Sequence, residues 1–213
     1  MRFAREAWPF VTPPLLGAAV LWLVGAQPAA GFAALVAVAI LLFFRDPADR
    51  RETPGPGELL SPAYGKVLRV EPAEDSEVAE GPLVRVVTFL SVFDVHLQRV
   101  PADGLVVTSR QKSGLKLAAF RPDAGERNEQ HLTVVQLAND DRIGVRQIVG
   151  LVARRIVCHV EAGDEVQQGG TLGLIKFGSR VDLLVPAHYE VKVSAGDRLR
   201  GGVSVVARAP QQQ

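Results

Sequence analysis

The chain reads GGTLGLIKFGSRVDLLVP from Gly169 to Pro186. An apolar run leads into a Gly178-Ser179 pair, and a second alternating run extends from Val181 to Val185. This pattern predicts two β-strands joined at the glycine–serine pair, because glycine tolerates positive φ angles and serine bonds locally to backbone. On spacing alone, such a pair is most often only a turn.

The chain before this stretch is rich in β-branched residues that are separated by turn signals such as Pro101-Ala-Asp-Gly104. The predicted strands are Leu83–Leu90, Leu105–Thr108, Leu132–Leu137, Ile143–Val149 and Arg155–Val160. The segment from Ala162 to Gly173 is similar to the glycine turn of lipoyl- and biotinyl-carrier sandwiches. We therefore predict a mainly β domain over residues 58–213, an antiparallel sandwich or partly open barrel with this glycine turn.

The N-terminal region has no Asp, Glu, Lys or Arg from Ala7 to Phe44. Its two apolar runs, Val11–Val24 and Ala29–Phe44, are each somewhat shorter than the roughly 20 residues of a spanning helix. Arginines flank both outer ends, which favours a hairpin whose ends share the cytoplasmic side. We predict a membrane-associating helical hairpin over residues 1–45 at the cytoplasmic membrane, and both spanning and re-entrant insertion remain open.

Two other interpretations of this region are weaker. A cleaved signal peptide is disfavoured because the second apolar run follows the first at once. A soluble hairpin buried in a core is disfavoured because the remaining chain reads as strands. Residues 46–57 (DPADRRETPGPG) are predicted to be a linker that holds the β-rich domain on the cytoplasmic side, close to the membrane surface.

Composition excludes some classes of protein. The 24 Lys and Arg residues are balanced by 23 Asp and Glu residues, which disfavours a nucleic-acid-binding protein. Cys158 is the only cysteine, so the chain cannot form an internal disulfide. It lies in an apolar run and is more often a small buried hydrophobe than a nucleophile.

Four motifs, in order along the chain, carry a resemblance to a known family. They are FFRDP (Phe43–Pro47), LLSPAYGKV (Leu59–Val67), FLSVFDVHLQRVPADG (Phe89–Gly104) and QIVGLVARRIVCHVEAGDEVQQGGTLGLIKFGSRVDLLVP (Gln147–Pro186). Together they closely resemble the short-form phosphatidylserine decarboxylase proenzymes, which are pyruvoyl-dependent. The resemblance covers most of the chain beyond the N-terminal region and is far more specific than one glycine–serine pair.

The resemblance implies that the chain cuts itself between Gly178 and Ser179. The Ser179 hydroxyl would attack the Gly178 carbonyl, and elimination and hydrolysis would leave a pyruvoyl group at the start of residues 179–213. This self-generated cofactor would accept the electrons released when phosphatidylserine loses carbon dioxide and becomes phosphatidylethanolamine. The implied partners are the phospholipid bilayer, phosphatidylserine and the two chains of the cleavage, and a homodimer is common for membrane-surface enzymes of this sort.

His96 is the predicted acid–base residue. It lies in Phe93-Asp-Val-His-Leu, a run that we predict to be a strand, with Asp94 two residues earlier on the same face. A lone histidine in a strand is more often structural. The surrounding match to the family's Asp-x-His signature favours catalysis.

Tyr64 departs from the family's pattern. The family usually reads Ser-Pro-Ala-Asp-Gly, in which the aspartate orients the histidine for self-cleavage, whereas this chain reads Ser61-Pro-Ala-Tyr-Gly65. A tyrosine, with a pKa of about 10, is not a carboxylate at neutral pH. Three explanations remain open: Asp94 or another carboxylate substitutes, the change stalls maturation, or activity has been lost. We expect maturation to be slow or absent in this chain.

Three arginines are predicted to bind substrate. Arg154 and Arg155 could clamp the lipid phosphate, since guanidinium matches phosphate bidentately, although solvated or paired arginines are equally common at strand edges. Arg180 directly follows the serine and could hold a carboxylate or a phosphate. No metal site is predicted, because no cluster of residues has metal-ligand spacing.

Two rival functions belong to other classes. The first is a catalytically silent, membrane-tethered β-sandwich that binds lipid headgroups, which Tyr64 motivates. The second is a carrier domain that is modified on Lys176, the lysine nearest to a hairpin tip.

Overall fold

The structure, a computed structural model, describes residues 2–47, 55–151, 155–176 and 179–210. The chain divides into two compact units, Met1–Ala48 and Asp49–Gln213. The first unit contains a 3-10 turn (Arg5–Ala7) and two helices, α1 (Trp8–Leu23) and α2 (Gln27–Phe43). Two short strands, β1 (Arg2–Phe3) and β2 (Arg45–Asp46), pair antiparallel at its ends.

The two predicted apolar helices of the first unit are confirmed, and a connector from Val24 to Ala26 separates them. Pro28 lies in the first turn of α2 and not in the connector. Proline is tolerated there because the first helical N–H groups have no partner within the helix. Among the helices that the structure describes, none combines the length and the apolar character needed to cross a membrane.

The second unit is built almost entirely from strands. Its one described helix, α3 (Ala124–Arg127), has four residues. The strands are β3 (Glu58–Leu60), β4 (Gly65–Ala73), β5 (Leu83–Leu90), β6 (Leu97–Arg99), β7 (Gly104–Lys112), β8 (Gln130–Gln136), β9 (Arg142–Val149), β10 (Arg155–Cys158), β11 (Glu165–Val166), β12 (Thr171–Lys176), β13 (Ser179–Pro186), β14 (Glu190–Val191), β15 (Arg198–Leu199) and β16 (Val205–Arg208).

These strands form one large curled sheet and two small sheets. The large sheet is antiparallel, with the strand order β11-β7-β8-β9-β13-β5-β4-β15. The small sheets have the orders β10-β12-β6 and β14-β16-β3. The main core is formed by the apolar residues on one face of β13, including Val181 and Leu183, together with residues of the small sheets such as Ile175 and Val206. The predicted mainly β fold is confirmed.

Strand β13 lies in the middle of the large sheet and is paired on both sides. It pairs with β5 from Ser179 to Pro186 and with β9 from Ser179 to Leu184. Strand β12, which precedes it in the chain, belongs to a small sheet and pairs with β10 and β6. The predicted strands on both sides of the glycine–serine pair are therefore confirmed, and they belong to two different sheets.

The predicted strand around His96 is wrong. The chain turns at Val92–Asp94, and β6 begins only at Leu97. The turn is stabilised because one Asp94 carboxylate oxygen accepts hydrogen bonds from both the backbone N–H and the hydroxyl of Ser91, each of 2.8 Å. An acidic side chain that bonds to nearby backbone favours a turn over a strand.

Candidate active site

Ser179 is the first residue of β13 and is fully buried. Its backbone lies between Leu90 at the end of β5 and Val149 at the end of β9. Its Oγ has no hydrogen-bond partner among the described residues. A buried hydroxyl without a partner costs about 1–3 kcal/mol, so its presence in a close-packed strand requires a reason other than stability.

The side chains of β13 alternate between the two faces of the large sheet. Val181 belongs to the main core, whereas Leu184 belongs to a smaller cluster on the other face. Ser179 therefore faces the main core and the small sheet that contains β6 and β12. Arg180 and Asp182 lie on the opposite face.

The backbone places His96 next to the junction between β12 and β13. The His96 carbonyl accepts a hydrogen bond of 3.2 Å from the N–H of Ile175, four residues before Ser179. His96 also follows Leu90, the β5 partner of Ser179, by a short loop. The histidine is only 2% exposed. The polypeptide before the predicted cleavage bond thus bonds to His96, and Ser179 after the bond pairs with the end of the strand from which the His96 loop leaves.

The tautomer of His96 follows from its surroundings. Nδ1 lies 3.0 Å from the backbone carbonyl oxygen of Asp94. A carbonyl oxygen can only accept, so Nδ1 carries the hydrogen and Nε2 is the basic nitrogen of the neutral ring. The Asp94 carboxylate binds Ser91 and lies 3.7 Å from Arg198 Nη1. Asp94 therefore supports His96 through its backbone, in a turn that its own side chain stabilises.

Tyr64 is buried at the same end of the sheet. Strand β4 begins directly after it, at Gly65, and pairs with β5. The carbonyl of Pro62 accepts a hydrogen bond of 2.8 Å from the N–H of Arg99 in β6, which brings this segment next to the strand that follows His96. The tyrosine ring packs on Gly201, where an added Cβ would lie only 2.9 Å from the ring carbons.

Arg180 and Asp182 form a buried ion pair on the opposite face of β13. Nε and Nη2 of the arginine donate to the two carboxylate oxygens at 2.6 and 2.7 Å. The side chains are 0% and 2% exposed. The guanidinium fits against Gly125 of α3, where an added Cβ would lie 2.9 Å from Nη2. Nη1 has no hydrogen-bond partner among the described residues.

A chain of buried amides links His96 to the large sheet. Gln98 Nε2 donates to the carbonyl of His96 at 2.8 Å, and Gln147 Nε2 donates to Gln98 Oε1 at 2.9 Å. Gln147 lies in β9 directly opposite Val181 of β13. This network fixes the loop of His96 relative to the strand of Ser179.

Asn128 anchors the segment that covers the opposite face of the site. Its side-chain amide donates to the carbonyls of Leu117 and Val149, both at 2.8 Å, and its oxygen accepts from the N–H of Leu117 at 2.9 Å. Val149 is the β9 partner of Ser179. The segment between β7 and β8 is thereby tied to the strand end beside Ser179.

Comparison with known proteins agrees with this geometry. The family model of phosphatidylserine decarboxylase matches residues 36–207. The chain belongs to the phosphatidylserine decarboxylase family. A phosphatidylserine decarboxylase proenzyme of Burkholderia lata is 37% identical over 212 residues, which cover 98% of this chain and 96% of the relative. The proenzyme of Saccharopolyspora erythraea is 45% identical over 169 residues, 78% of this chain and 71% of the relative.

Membership of the phosphatidylserine decarboxylase family confirms the resemblance that the motifs carried, and the structure brings part of the predicted site together. Ser179, His96, Asp94 and Tyr64 lie at one end of the large sheet. Gly178 and Arg154 lie outside the described residues. Arg155 is exposed at the start of β10, directly opposite Lys176. Arg180 is buried and forms an ion pair with Asp182. Its predicted contact with the substrate stays a prediction.

Sequence reasoning missed several buried polar residues of the site. They are Gln98, Gln147 and Asp182, each at most 1% exposed. One signal was present in the sequence: Gln147 directly precedes Ile148 and Val149, and Asp182 directly precedes the apolar run from Leu183 to Val185, so both lie next to residues that are usually buried. Among the described residues, no group of three His, Cys, Asp or Glu side chains could hold a metal ion.

Cys158 lies apart from this site, in a small polar cluster with Ser109, His131 and Thr133. Its Sγ is 3.9 Å from the Ser109 hydroxyl, which is itself 3.0 Å from His131 Nε2. Burial raises the pKa of the Cys158 thiol, but the interaction with His131 and further hydrogen bonds lower it more, to about 7. A thiol with this pKa is more reactive than an ordinary buried cysteine.

A cavity of about 890 Å³ lies at the opposite end of the large sheet from Ser179. Its lining includes Leu137, Asn139 and Tyr189. Leu137 follows the end of β8 that is farther from Ser179. This cavity is therefore separate from the candidate active site.

Proposed function

We propose that this chain is the proenzyme of a pyruvoyl-dependent phosphatidylserine decarboxylase, which cleaves itself between Gly178 and Ser179 and converts phosphatidylserine to phosphatidylethanolamine and carbon dioxide. The observation that carries the proposal is the buried Ser179 hydroxyl, which has no hydrogen-bond partner in the described part of the chain, four residues after the Ile175 N–H that bonds to the His96 carbonyl. The relatives named above are phosphatidylserine decarboxylase proenzymes.

Self-cleavage would begin with the Ser179 hydroxyl. Its oxygen attacks the carbonyl carbon of Gly178 while Nε2 of His96 accepts the hydroxyl proton, and the peptide C–N bond breaks to leave an ester and a free amine. A base then removes the Cα proton of residue 179, the Gly178 carboxylate departs, and residue 179 becomes dehydroalanine. Its enamine tautomerises and is hydrolysed by one water, which releases ammonia and leaves the pyruvoyl group.

The surroundings of Ser179 fit such a group. The residue is buried, it is held by strands on both sides, and its side-chain oxygen bonds to no described residue. The pyruvoyl group, once formed, supplies a carbonyl that accepts the electrons released when carbon dioxide leaves. The role of the chain is to exclude water from this position, to keep it fixed through the ladders of β13, and to supply Nε2 of His96 as the base that accepts and returns a proton.

Maturation of this chain is proposed to be slow, because Tyr64 stands where the family usually has aspartate. The hydroxyl of tyrosine is neutral at pH 7 and cannot balance the charge of a protonated histidine. The Asp94 carboxylate already binds Ser91. A histidine base that loses its carboxylate partner typically loses orders of magnitude in rate.

The protein is proposed to work at the cytoplasmic membrane, with the catalytic unit on the cytoplasmic side. The apolar helices α1 and α2 support attachment to the bilayer, since together they carry no charged residue. The proposed partners are the bilayer, phosphatidylserine, the two chains of the cleaved protein and a second copy of the chain.

Intact-mass measurement of the purified full chain tests the proposal. We expect slow, partial conversion into residues 1–178 and a fragment that begins with a blocked residue 179, and no conversion in a Ser179→Ala control. Tyr64→Asp should accelerate the cut. Each preparation is then incubated with phosphatidylserine vesicles, and phosphatidylethanolamine is measured by mass spectrometry. A Tyr64→Asp chain that stays intact, or a cut at another bond, would contradict the proposal.

One alternative is favoured by Tyr64: a catalytically silent β-sandwich that is tethered to the membrane and binds lipid headgroups. In that case the Tyr64→Asp chain binds vesicles, stays intact and forms no phosphatidylethanolamine. The carrier alternative predicts an added biotin or lipoyl mass on Lys176. The same mass spectrum therefore separates all three functions.

A further inference from the structure

The second unit exposes a group of large apolar side chains at one end. Six large apolar residues are exposed among its described residues, and five of them lie at the end that carries Ser179. They are Val92, Phe93, Leu115, Phe120 and Leu151, with exposed fractions of 50%, 84%, 47%, 63% and 71%. We call these five residues the apolar rim. Isolated exposed apolar residues are ordinary on a protein surface, but a concentration at one end is not.

Strand pairing places the rim around Ser179. Val92 and Phe93 follow the end of β5, and Leu151 follows the end of β9, which are the two strand ends that flank Ser179. Phe120 packs edge-on against Phe89, with ring centroids 6.5 Å apart, and Phe89 is the β5 partner of Arg180. Leu115 lies, like Phe120, in the segment between β7 and β8. Its carbonyl accepts a hydrogen bond from the N–H of Glu129.

Basic side chains stand on the same end of the unit. Lys112 and Lys116 are exposed before Phe120 in the chain, and Arg155 is directly opposite Lys176 in the register of β10 and β12. Of the acidic groups nearby, Asp123 bonds to both Arg121 and Arg127, and Glu129 lies 4.0 Å from Lys116 Nζ.

We infer that the apolar rim is a bilayer-contacting surface of the catalytic unit itself, which inserts its side chains between anionic headgroups and holds Ser179 at the level of those headgroups. This inference rests on the proposed function. Exposed apolar side chains flanked by basic residues are typical of a surface that binds a bilayer. The apolar side chains contact the acyl chains, and the basic side chains bind the anionic headgroups. A protein partner on the same surface would cover the end at which a lipid substrate must reach Ser179, so a bilayer is the favoured occupant.

Site-specific fluorescence in the full chain tests this inference. In a Cys158→Ser background, an environment-sensitive dye is attached to Phe93→Cys or to Phe120→Cys. The matched control is Leu105→Cys, which is 42% exposed and lies at the other end of β7, roughly 20 Å from the rim by strand length. The protein is reconstituted into vesicles of phosphatidylglycerol and phosphatidylcholine, with or without lipids that carry a nitroxide on the acyl chain.

At positions 93 and 120 we expect a blue shift of the emission and quenching by the nitroxide lipids, and at position 105 neither change. Dyes at 93 and 120 that behave like the dye at 105 in vesicle-bound protein would overturn the inference. A blue shift that needs no vesicles and grows with protein concentration would also overturn it, because the rim would then be a contact between copies. The dye signal requires neither cleavage nor decarboxylation. A rim that does not contact the bilayer and a chain that does not cleave or decarboxylate are therefore detected by separate measurements.

Discussion

Replacing Asp182 with asparagine is expected to lower the free energy of unfolding by about 3–5 kcal/mol, because a buried guanidinium would lose its counter-charge. Arg180 and Asp182 are 0% and 1% exposed, and bonds of 2.6 and 2.7 Å join them. Water cannot reach the pair to replace the lost carboxylate. A loss of this size is a large share of the roughly 5–15 kcal/mol that stabilises a typical domain.

The assay is urea unfolding followed by circular dichroism, in a Ser179→Ala background so that cleavage does not mix species. The double variant Arg180→Met/Asp182→Leu should lose less stability than Asp182→Asn alone, since it leaves no charge in the interior. Glu71→Gln is the matched control. Glu71 pairs with Arg69 at 2.8 Å, also two residues apart on one strand, but the two side chains are 33% and 28% exposed.

An exposed pair of that kind contributes at most about 1 kcal/mol. The reasoning fails if Asp182→Asn costs no more than Glu71→Gln. It also fails if the double variant costs as much as the single one, because the loss would then come from packing and not from the uncompensated charge.

Three further predictions follow from named contacts. Alkylation of Cys158 by iodoacetamide should be half-maximal near pH 7, the pH that matches its pKa of about 7, and His131→Leu should move the midpoint to higher pH. Gly125→Ala should destabilise the fold by about 1–3 kcal/mol in thermal unfolding, because the added Cβ would lie 2.9 Å from the fixed guanidinium of Arg180. Gln147→Leu should cost about 1–3 kcal/mol in the same measurement and slow self-cleavage followed by gel electrophoresis, since it removes the donor that fixes the His96 network.

Local pattern was enough to predict most of the fold. Strand β5 has the bounds predicted for it, Leu83–Leu90, because its β-branched residues alternate between two buried or half-buried faces. The two apolar runs without charged residues became α1 and α2. The sequence did not reveal that β12 and β13 belong to different sheets, since two strands joined by a glycine–serine pair read equally well as a hairpin.

The surroundings of His96 could not be predicted, because they depend on pairing between distant parts of the chain. Gln98 and Gln147 meet only after β6 joins the small sheet and β9 joins the large one. Alternation alone placed Asp94 beside His96 on a strand. The carboxylate instead bonds back to Ser91 and makes a turn, so that the backbone carbonyl of Asp94 reaches the ring. The hydrogen bonds between Ser91 and the Asp94 carboxylate thus favoured a turn over the strand that the alternating pattern predicted.

The position of β13 would keep the two fragments of the proposed cleavage together. Cleavage at the proposed bond would leave residue 179 as a chain end, whereas the pairing of β13 with β5 continues from Arg180 to Pro186 and its pairing with β9 from Arg180 to Leu184. The fragment after the cut also supplies β15, which pairs with β4, and β16, which pairs with β3. To leave, it would have to unpair three strands and expose core residues such as Leu183. A new terminus is therefore held in place by the same sheet that buried the serine.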